Sequence, residues 1–204
     1  MSIVAIIQAR MGSTRLPGKV LMDIHGKSML QHVVERTLMA VREVIVATSW
    51  LSEDDVIEMA CRNKLPVRVF RGNPTDVLNR YIEAAAQVEA RKIIRITADC
   101  PLIDPGIICK VADALTETMD YAANIIKRTY PKGLDCEALW FDTLLRVDRM
   151  AMGEDREHVT QFIRKRPDLF VCASIEDSKD RSAENWSVDT QGDLNRVRKL
   201  HALL

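Results

Sequence analysis

Residues 5–19, Ala-Ile-Ile-Gln-Ala-Arg-Met-Gly-Ser-Thr-Arg-Leu-Pro-Gly-Lys, carry an apolar strand straight into a glycine-bearing loop with three cations. Val4, Ala5, Ile6 and Ile7 are continuously apolar rather than alternating, the pattern of a strand buried on both faces inside a parallel sheet. The loop begins at the carboxyl end of that strand, where open α/β sheets bind ligands. Gly12 and Gly18 remove the Cβ that would keep a phosphate away from the backbone. Arg10, Arg15 and Lys19 recur every four to five residues, so a curled loop brings their charges onto one triphosphate. Arginine would grip phosphate oxygens through its planar fork, and lysine would act as a mobile point charge.

Counting excludes the familiar alternatives. In a P-loop begun at Gly12 the second glycine falls on Pro17, and Val20 follows Lys19 where a hydroxyl residue is needed. No Gly-x-Gly-x-x-Gly follows a predicted strand, which removes the dinucleotide fingerprint. Lys plus Arg and Asp plus Glu are equal at 29 each, so nothing global attracts nucleic acid or an anionic membrane, and any anion site is local. Apolar runs fall short of a membrane span and no signal peptide opens the chain, which places it in the cytoplasm. Five cysteines without a Cys-x-x-Cys pair suggest neither a disulfide framework nor a zinc site.

Strand-like runs at 3–8, 43–48, 67–70 and 92–97 alternate with helical patterns at about 28–40, 53–63, 75–89 and 105–118. This is an α/β chain with a mainly parallel sheet and helices on both faces, organised as a single domain over 1–204. Acidic Glu53, Asp54 and Asp55 suit a helix start, and Pro105 suits a first turn. Residues 126–134 read as a loop. Beyond it come a strand at 135–140, helices near 141–150 and 155–165, strands near 169–174 and 186–188, and a terminal helix from Gln191.

The strand at 93–97 delivers Asp99 beside the first loop if the two strands are neighbours. A bare carboxylate facing gathered phosphates is repelled unless a cation intervenes, and Mg²⁺ takes one or two carboxylates together with phosphate oxygens. Asp104 reads as the cap of the helix at Pro105, and Cys100 as a small buried thiol with no base beside it. Asp189 leaves the strand at 186–188 and would pair with Asp99, although it or Thr190 would also cap the last helix. In Arg71-Gly72-Asn73, Arg71 would reach phosphate and Asn73 a base edge; Thr75 reads as a cap and Arg80 equally as an exposed residue. Tyr130 and Lys132 belong to a cationic loop, followed by Asp135 and Glu137, which face one side of an extended segment and suit sugar hydroxyls, or else form a solvent-facing edge. Arg156 and His158 are candidates for a substrate carboxylate or phosphate.

Five motifs together carry a resemblance: the Ala9–Lys19 loop, Asp99-Cys100-Pro101-Leu102-Ile103, Tyr130-Pro131-Lys132-Gly133-Leu134-Asp135, Arg156-Glu157-His158-Val159-Thr160 and Val188-Asp189-Thr190. The chain resembles the spore coat polysaccharide biosynthesis protein F group of cytidylyltransferases, relatives of the 3-deoxy-manno-octulosonate and acylneuraminate enzymes. The resemblance implies a glycosyltransferase-A-like, Rossmann-like nucleotide-binding domain, CTP as co-substrate, Mg²⁺, a sugar substrate and a homodimer. It would place Gln8 and Ala9 on the base and ribose, and Arg10, Gly12, Ser13, Arg15 and Lys19 around the triphosphate. Arg10, Arg15, Lys19 and Asp99 would carry catalysis, and Asp99 with Asp189 would hold the metal. Thr97-Ala98-Asp99-Cys100-Pro101 stands where the octulosonate enzymes have Gln-Gly-Asp-Glu-Pro, a departure that argues against that exact sugar. Three readings stay open: a cytidylyltransferase, a nucleotidyltransferase using another nucleoside triphosphate or a nucleotide-sugar glycosyltransferase of the same fold, and a nucleotide-binding subunit without catalysis.

Overall fold

The computed structural model describes residues 2–203; Met1 and Leu204, the ends of the domain expected over 1–204, lie outside the described residues. Strand β1 (Ile3–Gln8) is followed by a small hairpin of β2 (Asp23–Ile24) and β3 (Lys27–Ser28), then by α1 (Met29–Leu38), β4 (Val44–Ser49), α2 (Asp55–Lys64) and β5 (Arg68–Gly72). The chain continues through α3 (Val77–Ala86), β6 (Lys92–Thr97), α4 (Pro105–Ala114), β7 (Tyr121–Ala123) and β8 (Glu137–Trp140). It closes with α5 (Phe141–Asp148), α6 (Glu154–Glu157), α7 (Gln161–Lys165), β9 (Cys172–Ser174) and α8 (Gln191–His201).

Seven strands form one sheet in the order β5-β4-β1-β6-β8-β7-β9. Only β8 runs against the others, pairing antiparallel with β6 and with β7. The expectation of a mainly parallel α/β sheet covered on both faces is met. Along β1, Ala5 and Ile7 enter one apolar cluster while Val4 and Ile6 enter the other, all fully buried. Alternate side chains of one strand leave on opposite faces, so two buried faces demand a continuous apolar run.

Topology places the site. From β1 the chain steps outward to β4 and β5, then returns to lay β6 on the other side of β1. The crevice between β1 and β6 is therefore a topological switch point, where a strand order reverses and loops part to admit a ligand. Gln8 pairs with Thr97, so the loops that follow these two strands leave the sheet side by side.

Several local expectations change. The segment 186–188 is not a strand; its neighbour Asn185 forms one parallel bridge with Lys132. The short strand β7 lies where no strand was expected, because three residues are too few for a pattern. The helix expected over 155–165 breaks at Val159, whose φ of 55° is foreign to a β-branched residue. Asp104 caps α4 by accepting from the Ile107 amide at 3.0 Å, as expected. Asp76 rather than Thr75 caps α3, accepting from Asn79 at 3.0 Å. Thr190 and Asp193 form a capping box on α8.

Candidate active site

The loop after β1 is tied down from an unexpected direction. The Met11 amide donates to Asp54 Oδ1 at 2.7 Å, and Asp54, 1% exposed, also accepts from the Ser49 amide and hydroxyl at 3.2 and 2.5 Å. In the sequence Asp54 was one of three acids at a helix start; only folding shows that it anchors the cationic loop. The Ser13 and Gly18 amides both donate to the Met11 carbonyl, at 2.8 and 3.0 Å, closing the loop on itself. Gly18, at φ 70°, turns the chain left-handed into the short turn Lys19–Leu21 and points Lys19 inward.

Lys19 ends between the two aspartates that the sequence placed eighty and one hundred and seventy residues away. Its ammonium donates to Asp99 Oδ2 at 3.0 Å, to Asp189 Oδ1 at 3.0 Å and to the Val188 carbonyl at 2.7 Å. Burial works to lower the Lys19 pKa, but Asp99 and Asp189 outweigh it and the net shift is upward. Burial likewise works to raise the Asp189 pKa, yet Lys19 and Lys132 hold it below the usual carboxylate range. Arg15 reaches Asp189 Oδ1 at 3.1 Å and Lys132 reaches its Oδ2 at 3.2 Å. The Thr97 hydroxyl donates to Asp99 Oδ1 at 2.6 Å. Each of the four carboxylate oxygens therefore carries a protein donor.

Three cavities join into one cleft. The first, about 240 Å³, is lined by Gln8–Arg10, Gly12–Arg15, Lys19, Thr97–Asp99 and Asp189. A second, reached past Gln8, Ala9 and Arg10, is walled by Val77, Arg80, Arg95, Glu157 and His158. A third, about 260 Å³, shares Thr97 with the first and is lined by Arg95, Arg128, Arg164, Asp135, Glu137, His158 and Gln161. A larger cavity of about 550 Å³ opens at the opposite end of the sheet, around Trp140 and Arg146. It lies apart from the loops after β1 and β6, so its size does not make it the active site.

Of the residues singled out in the sequence, Gln8, Ala9, Arg10, Gly12, Ser13, Arg15, Lys19, Asp99, Asp189, Lys132, Asp135 and His158 surround this cleft or bond to its walls. Five others do different work. Arg71 is held by Asp55, Glu58 and the carbonyls of Ser49 and Leu51, bracing the end of β5. Asn73 accepts from the Thr75 and Asp76 amides, both at 2.9 Å, and shapes the turn into α3. Tyr130 is 3% exposed inside the core. Arg156 ties α6 to Asp76 and Asp148, both at 2.8 Å.

Glu137, expected beside Asp135 on a sugar, is 2% exposed and bonded on all sides by Arg95, Tyr121, Thr160 and Arg164. Burial pushes its pKa up, but Arg95 and Arg164 win and the net shift is down. This carboxylate stabilises the wall of the third cavity, whereas Asp135 pairs with Arg128 in a two-pronged bridge at 2.6 and 2.9 Å. Sequence reading missed Arg95 and gave Thr97 no role, and it left Arg80 balanced between the site and an exposed helix face, since polar side chains inside an apolar strand or helix give no sign of which way they face.

A parallel sheet with a cationic loop and paired aspartates at its switch point defines a nucleotide-handling transferase of the α/β class. The sequence profile described as cytidylyltransferase matches residues 4–203, and the chain belongs to that family. Its similarity to the spore coat polysaccharide biosynthesis protein SpsF of Bacillus subtilis is 33% identity, covering 98% of this chain and 86% of that one. A 3-deoxy-manno-octulosonate cytidylyltransferase of Erwinia tasmaniensis is 41% identical, over 57% of this chain and 48% of its own length. The solved cytidylyltransferase of Leptospira borgpetersenii superposes with a TM-score of 0.96 at 30% identity, covering 100% of this chain and 88% of that one. The fold is shared with a CMP:2-keto-3-deoxy-manno-octonic acid synthetase complexed with CTP, at a TM-score of 0.76 and 23% identity, over 100% of this chain and 99% of that one.

The donor set also suits a divalent ion. Asp99, Asp189 and the Val188 carbonyl already surround one positive charge, the Lys19 ammonium, with oxygen atoms. Hard oxygen donors with two carboxylates are what Mg²⁺ takes.

Proposed function

We propose that the protein transfers CMP from CTP to a hydroxyl of an acidic sugar, with Mg²⁺, and so supplies an activated sugar for surface polysaccharide or glycoconjugate synthesis. The sugar oxygen forms a bond to the α-phosphorus, the bond from that phosphorus to the β-phosphate oxygen breaks, and pyrophosphate leaves as the hydroxyl proton passes to solvent. The observation that carries this reading is the convergence of Lys19, Arg15 and Lys132 on Asp189, with Lys19 also on Asp99, at the floor of one cleft.

The chain's own residues supply position and charge. Arg10 and Arg15, both largely exposed on the loop, would leave their bridges to Glu157 and Asp189 to close on a triphosphate, and Lys19 would give a leaving pyrophosphate its counter-charge. Asp99 and Asp189 would hold Mg²⁺, which when bound neutralises charge on phosphate oxygens. Support for an acidic acceptor comes from the third cavity, which sets three guanidinium groups against two carboxylates and so keeps an excess of positive charge. The resemblance set out above adds a homodimer to this reading, and the short apolar runs of the sequence add a cytosolic location. No described helix is long and apolar enough to cross a membrane.

The test is pyrophosphate release with CTP, UTP, GTP or ATP, Mg²⁺ and a panel of acidic and neutral sugars. CTP with an acidic sugar is the expected pair. The Asp99→Asn variant should lose turnover by about 100-fold or more while keeping nucleotide affinity within several-fold. A fully active variant refutes the role of Asp99, and release with neutral sugars alone refutes the acidic acceptor.

A further inference from the structure

Arg80 is the most anomalous charge in the molecule. It lies on α3 with 2% of its surface exposed, and among the described residues no carboxylate bridges its guanidinium. A buried, unpaired cation is costly, and protein interiors rarely keep one without a partner. Only Nη1 is engaged, donating to the Asn73 carbonyl at 2.9 Å, while Nε is buried with no acceptor. Among the described residues, the parallel Nε–H and Nη2–H pair, the edge with which arginine makes two-pronged bonds, has no acceptor.

The fold makes room for this arrangement. A Cβ on Gly72 would come within 2.9 Å of Arg80 Cγ and 2.8 Å of the Phe70 ring, so the glycine on β5 admits the arginine stem. Arg80 lines the second cavity, whose Ala9 and Val77 give flat apolar walls and whose Gln8 is shared with the triphosphate cavity. Gln8 Oε1 is already taken by Tyr81 and Arg95, at 3.3 and 3.0 Å, which fixes the amide at the mouth. A planar ring with two adjacent acceptors, attached to a triphosphate held next door, fits such a chamber.

We infer that Arg80 is the residue that selects the base, donating this unpartnered edge to N3 and O2 of cytosine. Uracil carries a hydrogen on N3 and meets the same edge donor to donor, so the inference gives a physical reason for CTP over UTP. It deepens the CTP reading above and rests on it.

Nucleotide affinity, read by calorimetry, tests the assignment. Arg80→Met, which keeps an unbranched stem, should weaken CTP by about 10- to 100-fold, the worth of a two-pronged base contact, and collapse the preference over UTP. Inorganic triphosphate should bind the variant as it binds the wild type. Equal losses for CTP and triphosphate overturn the inference, because Arg80 would then hold phosphate, and so does undiminished CTP affinity. Wild-type protein offered 3-deaza-CTP, in which a C–H replaces N3, provides the test if the variant does not fold. Weakening of about 10-fold supports the assignment and unchanged affinity overturns it. Wild-type protein that binds ATP or GTP but not CTP sinks both readings, whereas CTP binding indifferent to Arg80 and to N3 sinks this one alone.

Discussion

Replacing Lys19 with Met asks what keeps two aspartates together before any ligand arrives. The lysine makes two charge-assisted bonds to Asp99 and Asp189 at 3.0 Å and one to the Val188 carbonyl at 2.7 Å, with 9% of the residue exposed. Bonds of this kind contribute about 1.5–3 kcal/mol each, so the two carboxylate bonds amount to roughly 3–6 kcal/mol before the cost of burying the ammonium. A divalent ion entering the same oxygens must displace or share these contacts. If a quarter to a half of that energy resists the ion, its removal tightens binding by about 0.8–3 kcal/mol, or roughly 4- to 150-fold. Mn²⁺ titrated into nucleotide-free protein and followed by electron paramagnetic resonance reads this directly. Lys19→Met should bind Mn²⁺ about 4- to 150-fold more tightly than wild type while losing turnover. An affinity equal to or weaker than wild type refutes the idea that the lysine occupies the cation position.

Glu137→Gln leaves Arg95 and Arg164 facing one another in the sheet wall, and breaking a buried ion pair in this way costs about 3–5 kcal/mol. For a chain of this size that is a fall of roughly 6–20 °C in Tm, read by circular dichroism; a fall under 2 °C contradicts the structural role given to this carboxylate. The folded pKa of Glu137 is depressed, so its stabilisation is present above the unfolded carboxylate pKa of about 4.3 and is lost as pH falls through the lower folded value. The gap in Tm between wild type and variant should accordingly close below about pH 4. Gly133→Ala puts a Cβ 2.3 Å from the Ser187 amide nitrogen at a φ of 102°, and strain plus overpacking should cost about 2–5 kcal/mol. Because residues 132–133 pack on the segment leading to Asp189, CTP-dependent thermal stabilisation should weaken with it; an unchanged Tm refutes this account of the turn.

The run Val4–Ile7 by itself determined a doubly buried parallel strand, because two covered faces require an unbroken apolar sequence, and the residues after it determined a glycine-bearing cationic loop. Asp104 and Pro105 likewise determined the start of α4, since capping is a contact between near neighbours in the chain. The side-by-side placement of β1 and β6 was decided by tertiary structure, and with it the meeting of Lys19, Asp99 and Asp189, because strand order depends on how whole helices pack across the sheet. Tertiary structure also separated residues that local sequence could not. Arg71 and Arg80 sit nine positions apart at one junction, yet the first is braced by two acids on the rim and the second is sealed in the cleft wall. Which face of a helix or strand turns inward follows from the partner packed against it, and a charged side chain carries no record of that partner.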